Sequence, residues 1–553
     1  MVRVLLTLLL LCAASAAEAA NFHVSKTGND NNTCAQAQQV DGQGNPTAPK
    51  LTFSGTNGVG KCTITAGDEI RVGAGVYNEN FWLNDSGGAP NVGGIGSGTS
   101  WTNKIWIRGW PAGTVWTLRP LADNGNRPWC LAVGINRAFI EFDYVYVDGD
   151  FCTSPVTTGW GAHHIRFNHC EISGNTSVPF ALIQFNDHGA GFHEITRCEI
   201  HHGGTNEGLS HGIYSADDNV LMEDNDIHNF SACGIHVYSG SGPTAGSNTA
   251  RRNKVHNNLQ LSGSRRGCGI LYASSAPSGL IVNNVIWDIF PSNSGQSSNS
   301  GCLVIGSSSA TVINNTCYNP ATYCVQFDSG ATNLTVRNNV CAATPTVRLI
   351  GPGGASFASE TNNYGTPVSA GGWTNADPLL VNPGADDFRL QSGSPARNNG
   401  ATLTQATPDI VGTVRPQGGA YDPGAYEFIE GNTAPIITIT GPTSDANYFT
   451  EFANLGPPFA PLSGTASDNL AVVTCSWSNS RGGAGSCEGL ETWFVPVIVL
   501  QPDKNVLTVT ACDAGLLCTD AVLTVFYQIQ RYSLPFWLGR LVEVPQWLVS
   551  YGH

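Results

Sequence analysis

Charge is scarce in this 553-residue chain. Asp, Glu, Lys and Arg make up 12% of it, with 26 basic residues against 41 acidic and a net charge of −15. A surface of that sign disfavours nucleic acid and anionic membrane as general partners. Long apolar runs are missing as well. Beyond residue 20 none reaches the roughly 18 residues that a membrane-spanning helix needs, so no transmembrane segment is expected. The L-x-x-L-x-L core of leucine-rich repeats is absent, and so is the helical patterning of ankyrin and tetratricopeptide arrays. At this length one ordinary globular core is excluded, and two or more domains are expected.

The one apolar stretch lies at the start. Arg3, then Val4 to Leu11, then Ala17-Glu18-Ala19 form a basic flank, an apolar run and a small-x-small cleavage site. Residues 1–20 therefore read as an export signal, and the protein is expected to be secreted or at the cell surface. Leu11 before Cys12 is too large for the usual lipoprotein pattern, so soluble export is expected.

Glycine is abundant, at 65 residues. From His163 to Ala342 one phrase recurs: an apolar residue, two residues more, Asn or Cys, one residue, then Ile, Val or Cys. It reads Phe167-Asn168-His169-Cys170-Glu171-Ile172, then Ile195-Thr196-Arg197-Cys198-Glu199-Ile200, then Met222-Glu223-Asp224-Asn225-Asp226-Ile227. It returns around Asn253, Asn284, Asn315 and Asn339, at intervals of 24 to 31 residues. Such a period, carried by short β-branched strands, predicts a parallel β-helix, each coil pairing with the next ~4.8 Å along the axis. Stacked Asn amides would satisfy backbone groups in a buried turn and one another.

There are 17 cysteines, and 16 without Cys12, an even number that favours disulfides in an exported chain. The repeat register pairs Cys170 with Cys198, Cys317 with Cys341, Cys233 with Cys268 and Cys302 with Cys324 as coil-to-coil staples. Cys34–Cys62 and Cys130–Cys152 are expected upstream. Cys475/Cys487 and Cys512/Cys518 are expected as local staples.

Two further stretches carry a family resemblance. Phe22-His23-Val24-Ser25 running into Gly28-Asn29-Asp30, with Gly67-Asp68-Glu69-Ile70-Arg71-Val72 and Gly75-Val76-Tyr77, resembles the opening of the secreted right-handed β-helix family that includes pectate-lyase-like proteins. Asp377-Pro378-Leu379, Asp387-Phe388-Arg389-Leu390, Gly393-Ser394-Pro395-Ala396 and Asp422-Pro423-Gly424-Ala425 resemble its closing segment. The resemblance implies a right-handed parallel β-helix over residues 21–430, whose closing segment covers the open edge of the last coil. Residues 431–530 change character. Leu462 to Asn469, Trp477-Ser478-Asn479 and Ala511 to Gly515 resemble bacterial Ig-like modules, and the turn spacing predicts a small β-sandwich. The all-β reading is thus a solenoid, an Ig-like sandwich and an apolar tail, 531–553.

Chemistry must lie on an outer face. One column carries His201, His228 and His256 beside Glu171, Glu199, Asp226 and Lys254. Calcium is possible there, zinc less so, and pairing of the acids with Lys254, Arg197 or Arg252 is the plainer alternative. A second face follows each Gly-Ile: Gly212-Ile213, Gly234-Ile235 and Gly269-Ile270. Inward isoleucines put Tyr214 and His236 outward on adjacent coils. His211, Asp217, Asp218 and Tyr238 flank them as candidate substrate-binding residues, with Arg265 on the loop before the next coil. Arg251, Arg252, Lys254, Arg265 and Arg266 concentrate basic charge on an acidic protein and point to an anionic ligand.

That set permits a polysaccharide-lyase reaction on a uronate. Arg265 or Arg266 would neutralise the carboxylate, while His236 and Tyr214 exchange protons with the sugar. The catalytic candidates are therefore His236, Tyr214 and Arg266. No family motif carries over, however. The Lys base and Leu-Arg-His-Gly-like strand of alginate and chondroitin lyases are missing, as are the mannuronan epimerase and polygalacturonase sets. The first reading is an exported, monomeric carbohydrate-active enzyme acting on extracellular polysaccharide, a lyase ahead of a hydrolase. The alternative is a non-catalytic carbohydrate-binding or adhesion protein.

Overall fold

The computed structural model describes residues 19–528 apart from 84–91, 121–128, 175–179, 187–190, 205–208, 239–246, 259–266, 275, 277, 291–299, 352, 368–370 and 516. The expected tail and all but two residues of the expected leader lie outside the described residues. The chain divides into two compact units, residues 1–428 and 429–553. No helix among the described residues is long and apolar enough to cross a membrane.

In the first unit the chain winds through three parallel sheets, one short strand to each per coil. Sheet I runs from Asn21–Val24 to Phe357–Thr361, sheet II from Gly75–Tyr77 to Trp373–Asn375, and sheet III from Phe81–Leu83 to Thr346–Ile350. Alternation along each strand sends one set of side chains inside. On sheet I the inward column includes Ile107, Phe142, Phe167, Ile195 and Met222, in register and fully buried. Phe142 and Phe167 stack at 5.3 Å. The repeat persists past Ala342, with strands Thr346–Ile350, Phe357–Thr361 and Asn363–Gly365.

Between sheets I and II the chain turns through one residue in the left-handed region, at Asp224, Arg252, Asn283, Asn314, Asn338 and Asn362, with φ from 53° to 58°. The residue after it is the ladder asparagine. Asn253 Oδ1 accepts from the Asn225 amide N–H at 3.1 Å and from its Nδ2 at 2.9 Å. Asn253 Nδ2 donates to Met222 O at 2.9 Å and to Asn284 Oδ1 at 2.9 Å. The pattern continues through Asn315 and Asn339 to Asn363. Each amide thus satisfies backbone groups that a buried turn would otherwise strand.

The closing segment packs against the outside of the last coils, including Asn362 and Tyr364. It runs along the side, on the column one residue before the ladder. Asn283 Nδ2 donates to Ala406 O and Pro408 O, Asn314 Nδ2 to Asp422 O, Asn338 Nδ2 to Ala401 O and Asn362 Nδ2 to Asn399 O. Its fold is fixed by a buried Arg415, which holds Glu427 at 2.8 Å and donates to Asp422 O and Gly424 O. The coils it covers carry Asn-Asn doublets, whereas the uncovered ones have Asp224 or Arg252 in that place.

Seven disulfides form among the described residues. Cys233–Cys268 matches the register reading, and Cys34–Cys62, Cys130–Cys152, Cys475–Cys487 and Cys512–Cys518 match the other expected pairs. Two expected staples are replaced by Cys302–Cys317 and Cys324–Cys341, each with Cα atoms 6.0 Å apart. The two sets of cysteines differ by one residue in position at the start of the strand, before the regular in–out alternation sets in. Cys233 and Cys268 stand two places before the inward Ile235 and Ile270, and pack outside with Leu271 and Val304. Cys302 and Cys324 stand one place before Leu303 and Val325, at the position of Gly269. A Cβ at Gly269 would lie 2.4 Å from the interior Ile286. Cysteines there face inward and meet sheet II of their own coil. Cys170 and Cys198 are free and buried. They take ladder positions as thiols: the Cys170 amide donates to Cys198 Sγ at 3.4 Å, and the Cys198 amide to Asn225 Oδ1 at 3.0 Å.

The second unit is small and largely antiparallel. A three-stranded sheet (Ile436–Gly441, Leu462–Ser467, Thr492–Val495) and a five-stranded sheet built on Asp503–Asp513 and Cys518–Tyr527 share one core. That core includes Leu462, Trp493, Leu507, Val509 and Val525.

Candidate functional site

The outward column of sheet III brings Tyr214 and His236 into register on adjacent coils, with ring centroids 5.3 Å apart and edge-on. Ile213 and Ile235 beside them are fully buried in the solenoid interior. Tyr238 lies 5.9 Å from His236 and 6.4 Å from Tyr214, and is 39% exposed.

His211 is not a flanking surface residue. It is buried, and its Nε2 lies 3.0 Å from His236 Nδ1. The Cys233 amide N–H donates to His211 Nδ1 at 3.1 Å. A neutral His211 must therefore carry its proton on Nε2 and donate it to His236 Nδ1. Neutral His236 then carries its own proton on Nε2. Burial, with the neighbouring Tyr238, pushes the Tyr214 phenol up to about 12, so it keeps its proton at neutral pH. Both groups are hydrogen-bond donors as they stand. Neither is set up as the proton acceptor that the lyase reading requires.

Asp217 and Asp218 are buried, at 1% and 2% exposure, and do not line the surface. Asp217 Oδ2 instead lies 3.3 Å from Nε2 of His193, a residue that sequence reasoning missed. His193 Nδ1 accepts the Ile165 amide N–H at 3.2 Å, and its ring stacks on Phe185 at 4.5 Å. The pair braces the wall of the solenoid behind the Tyr214 strand.

Arg265 and Arg266 lie outside the described residues. The rest of the expected basic patch is neither on this face nor unpaired. Arg251 lies in sheet I and meets Glu223 at 2.6 Å; Arg252 binds Asp224 at 2.8 Å and also Glu223. Lys254 is in sheet II; burial raises the Asp226 carboxyl, but the hydrogen bond and charge of His256, with Lys254 and His228, bring it below its ordinary value.

The histidine column is a stack. His201, His228, His256 and Trp287 lie at successive centroid distances of 5.3, 5.1 and 4.0 Å. Each imidazole reaches diagonally to the acid of the coil before: His201 to Glu171 at 3.2 Å, His228 to Glu199 at 3.3 Å and His256 to Asp226 at 2.8 Å. The carboxylates are thus separated by histidines of neighbouring coils. Among the described residues no group of three or more acids, histidines or cysteines is placed to hold a metal.

The three sheets, their in-register coils and the asparagine ladder define a parallel β-helix solenoid. Residues 158–341 match the family described as right handed beta helix region. Solved structures with a similar chain path include a rhamnogalacturonan lyase, 13% identical with a TM-score of 0.46, covering 70% of this chain and 97% of that one. An alginate lyase from Paenibacillus sp. is 17% identical, with a TM-score of 0.39 and coverages of 55% and 93%. XylC in complex with xylose is 11% identical, with a TM-score of 0.39 and coverages of 74% and 98%. Resemblance this distant carries no chemistry from those proteins to this chain. The sequence matches no curated protein.

Proposed function

We propose that this protein is exported and handles an extracellular polysaccharide on the outer face of sheet III, with sugar carboxylates and hydroxyls received by Tyr214, His236 and Tyr238. The observation that carries the reading is the His211–His236 pair at 3.0 Å. It fixes the tautomer of His236, which is 7% exposed, next to the half-buried, protonated phenol of Tyr214 and the exposed Tyr238. Uronates present the acceptor oxygens such a site suits. Arg265 and Arg266 would add the positive charge, and the disulfides fit an oxidising compartment.

Cleavage by β-elimination is the second reading, favoured by the closeness of Tyr214 to His236. The phenol would protonate the leaving oxygen, and donors on the carboxylate would stabilise charge developing at the adjacent carbon. For His236 to take the carbon-bound proton, its own proton must move to Nδ1, which requires His211 to turn away. Calcium at the Glu171–Glu199–Asp226 column would have to displace three histidines. Incubation with polygalacturonate and alginate, followed by affinity electrophoresis and by the absorbance of unsaturated ends, separates the readings. Retardation without new ends supports binding, new ends support the lyase, and neither result on any uronate polymer rejects both.

A further inference from the structure

The outward column of sheet III changes character along its length. Upstream of the candidate site it reads Trp82, Ala132, Thr157, Gln184, Tyr214 and His236, in continuous register. Beyond His236 it becomes Leu271 and Val304, both buried and packed with Cys233 and Cys268. Next to the site the column is thus polar towards the N-terminal coils, at Gln184, and apolar on the other side, at Leu271 and Val304.

Three tryptophans gather at the far end. Trp129 lies 5.7 Å from Trp82 and 5.3 Å from Trp160, both edge-on. Trp82 Nε1 and Asn80 Nδ2 both donate to Trp129 O, at 3.0 and 2.7 Å, which fixes two of the three. Trp160 is 48% exposed and sits at φ 53°, in the left-handed region that bulky residues rarely occupy. Its ring lies against the backbone of Gly134, where a Cβ would come within 2.8 Å of Trp160 Cε3. An indole turned outward at a backbone angle unfavourable to it, on the same face as the donor cluster, suits a ligand with an apolar face and a polar rim. A pyranose ring has that form: its C–H face stacks on an indole, and its hydroxyls meet polar neighbours such as the half-buried Gln184.

We propose that Trp160, with Trp82 and Trp129, is a remote sugar-stacking subsite, so that the polymer lies along sheet III from His236 towards the N-terminal coils. The proposal rests on the reading of the Tyr214–His236 face as a polysaccharide site. Three coil steps at ~4.8 Å separate the coil of Trp160 from that of His236, about 14 Å. Only an oligosaccharide of several units reaches both ends.

The test is a tryptophan-fluorescence titration of the full chain with size-graded oligosaccharides from polygalacturonate and alginate. In the wild type, long oligosaccharides bind more tightly than short ones and shift the emission, whereas short ones do not shift it. Trp160→Ala weakens binding of long oligosaccharides at least tenfold and leaves short ones unchanged, and Trp160→Phe restores part of the loss. Melting curves confirm that the variants are folded. If Trp160→Ala binds every length like the wild type while His236→Ala does not, the stacking subsite is overturned and the donor site stands. If the wild type binds no length of either polymer, both fall. An emission unchanged by long, tightly bound oligosaccharides also overturns the subsite.

Discussion

His236 accepts its hydrogen bond from His211, because the Cys233 amide already occupies His211 Nδ1. A buried imidazole therefore sets the tautomer of the more accessible one. His236 then carries its proton on Nε2, and its Nδ1 lone pair faces His211.

Removing His211 should release that constraint. In ¹⁵N spectra of the wild type, His236 should show the Nε2–H tautomer, and His211→Ala should give a mixture. Loss of one ordered donor is worth about tenfold in affinity for a uronate oligosaccharide. An unchanged tautomer in the variant would contradict the assignment.

The asparagine ladder predicts a large local effect. Asn253→Ala leaves the Asn225 N–H and Nδ2 without their acceptor and Met222 O without its donor. Each stranded group costs about 1–3 kcal/mol, so denaturant unfolding should show a loss on the order of 3 kcal/mol. Asn253→Asp keeps the acceptor but sets a second, charged oxygen against Met222 O and Asn284 Oδ1 in a buried turn, and should lose at least as much.

Non-reducing peptide mapping should recover Cys302 joined to Cys317 and Cys324 joined to Cys341. Cys170 and Cys198 should be found as thiols. Burial, together with the hydrogen bond to Cys198, pushes the Cys170 thiol well above its ordinary range. Alkylation of the native protein should therefore leave it unmodified until denaturant is added.

Acid should weaken the opening coil. Burial and the nearby Arg71 bring His23 from its ordinary value of 6.5 down to about 4. Between these values the unfolded chain binds the proton and the folded chain does not, so stability rises with pH across that window. What is present above pH 6.5 is lost as pH falls towards 4, by about 3 kcal/mol at most. His23→Gln should flatten the stability profile between pH 4 and 6.5.

Much of the solenoid was legible because the asparagine phrase is a local signal with a geometric cause. Asn225 to Asn339 announce their own stacking. Asn363 was missed, although Asn362-Asn363-Tyr364 repeats the doublet of Asn338-Asn339-Val340. Asn283, Asn314 and Asn338 carried a further signal, since doublets mark the coils that the closing segment straps.

Partners decided by a single residue of offset were not legible. Cys302 before Leu303 and Cys233 before Gly234 look alike in sequence, yet face opposite sides of the wall. The charge of Arg251 and Arg252 was visible, but not that Glu223 and Asp224 neutralise it. At the site, the facing of Tyr214 and His236 followed from alternation. The burial of His211 and Asp217, and the part played by His193, depend on packing between coils that no spacing reveals.

The central claim is that sheet III carries a sugar-binding face built around His236. Calorimetric titration of polygalacturonate and alginate oligosaccharides into the wild type, His236→Ala and Tyr214→Phe tests it most directly. Saturable binding by the wild type, weakened at least tenfold in both folded variants, is the predicted result. Equal binding by all three proteins, or none by the wild type, would contradict it.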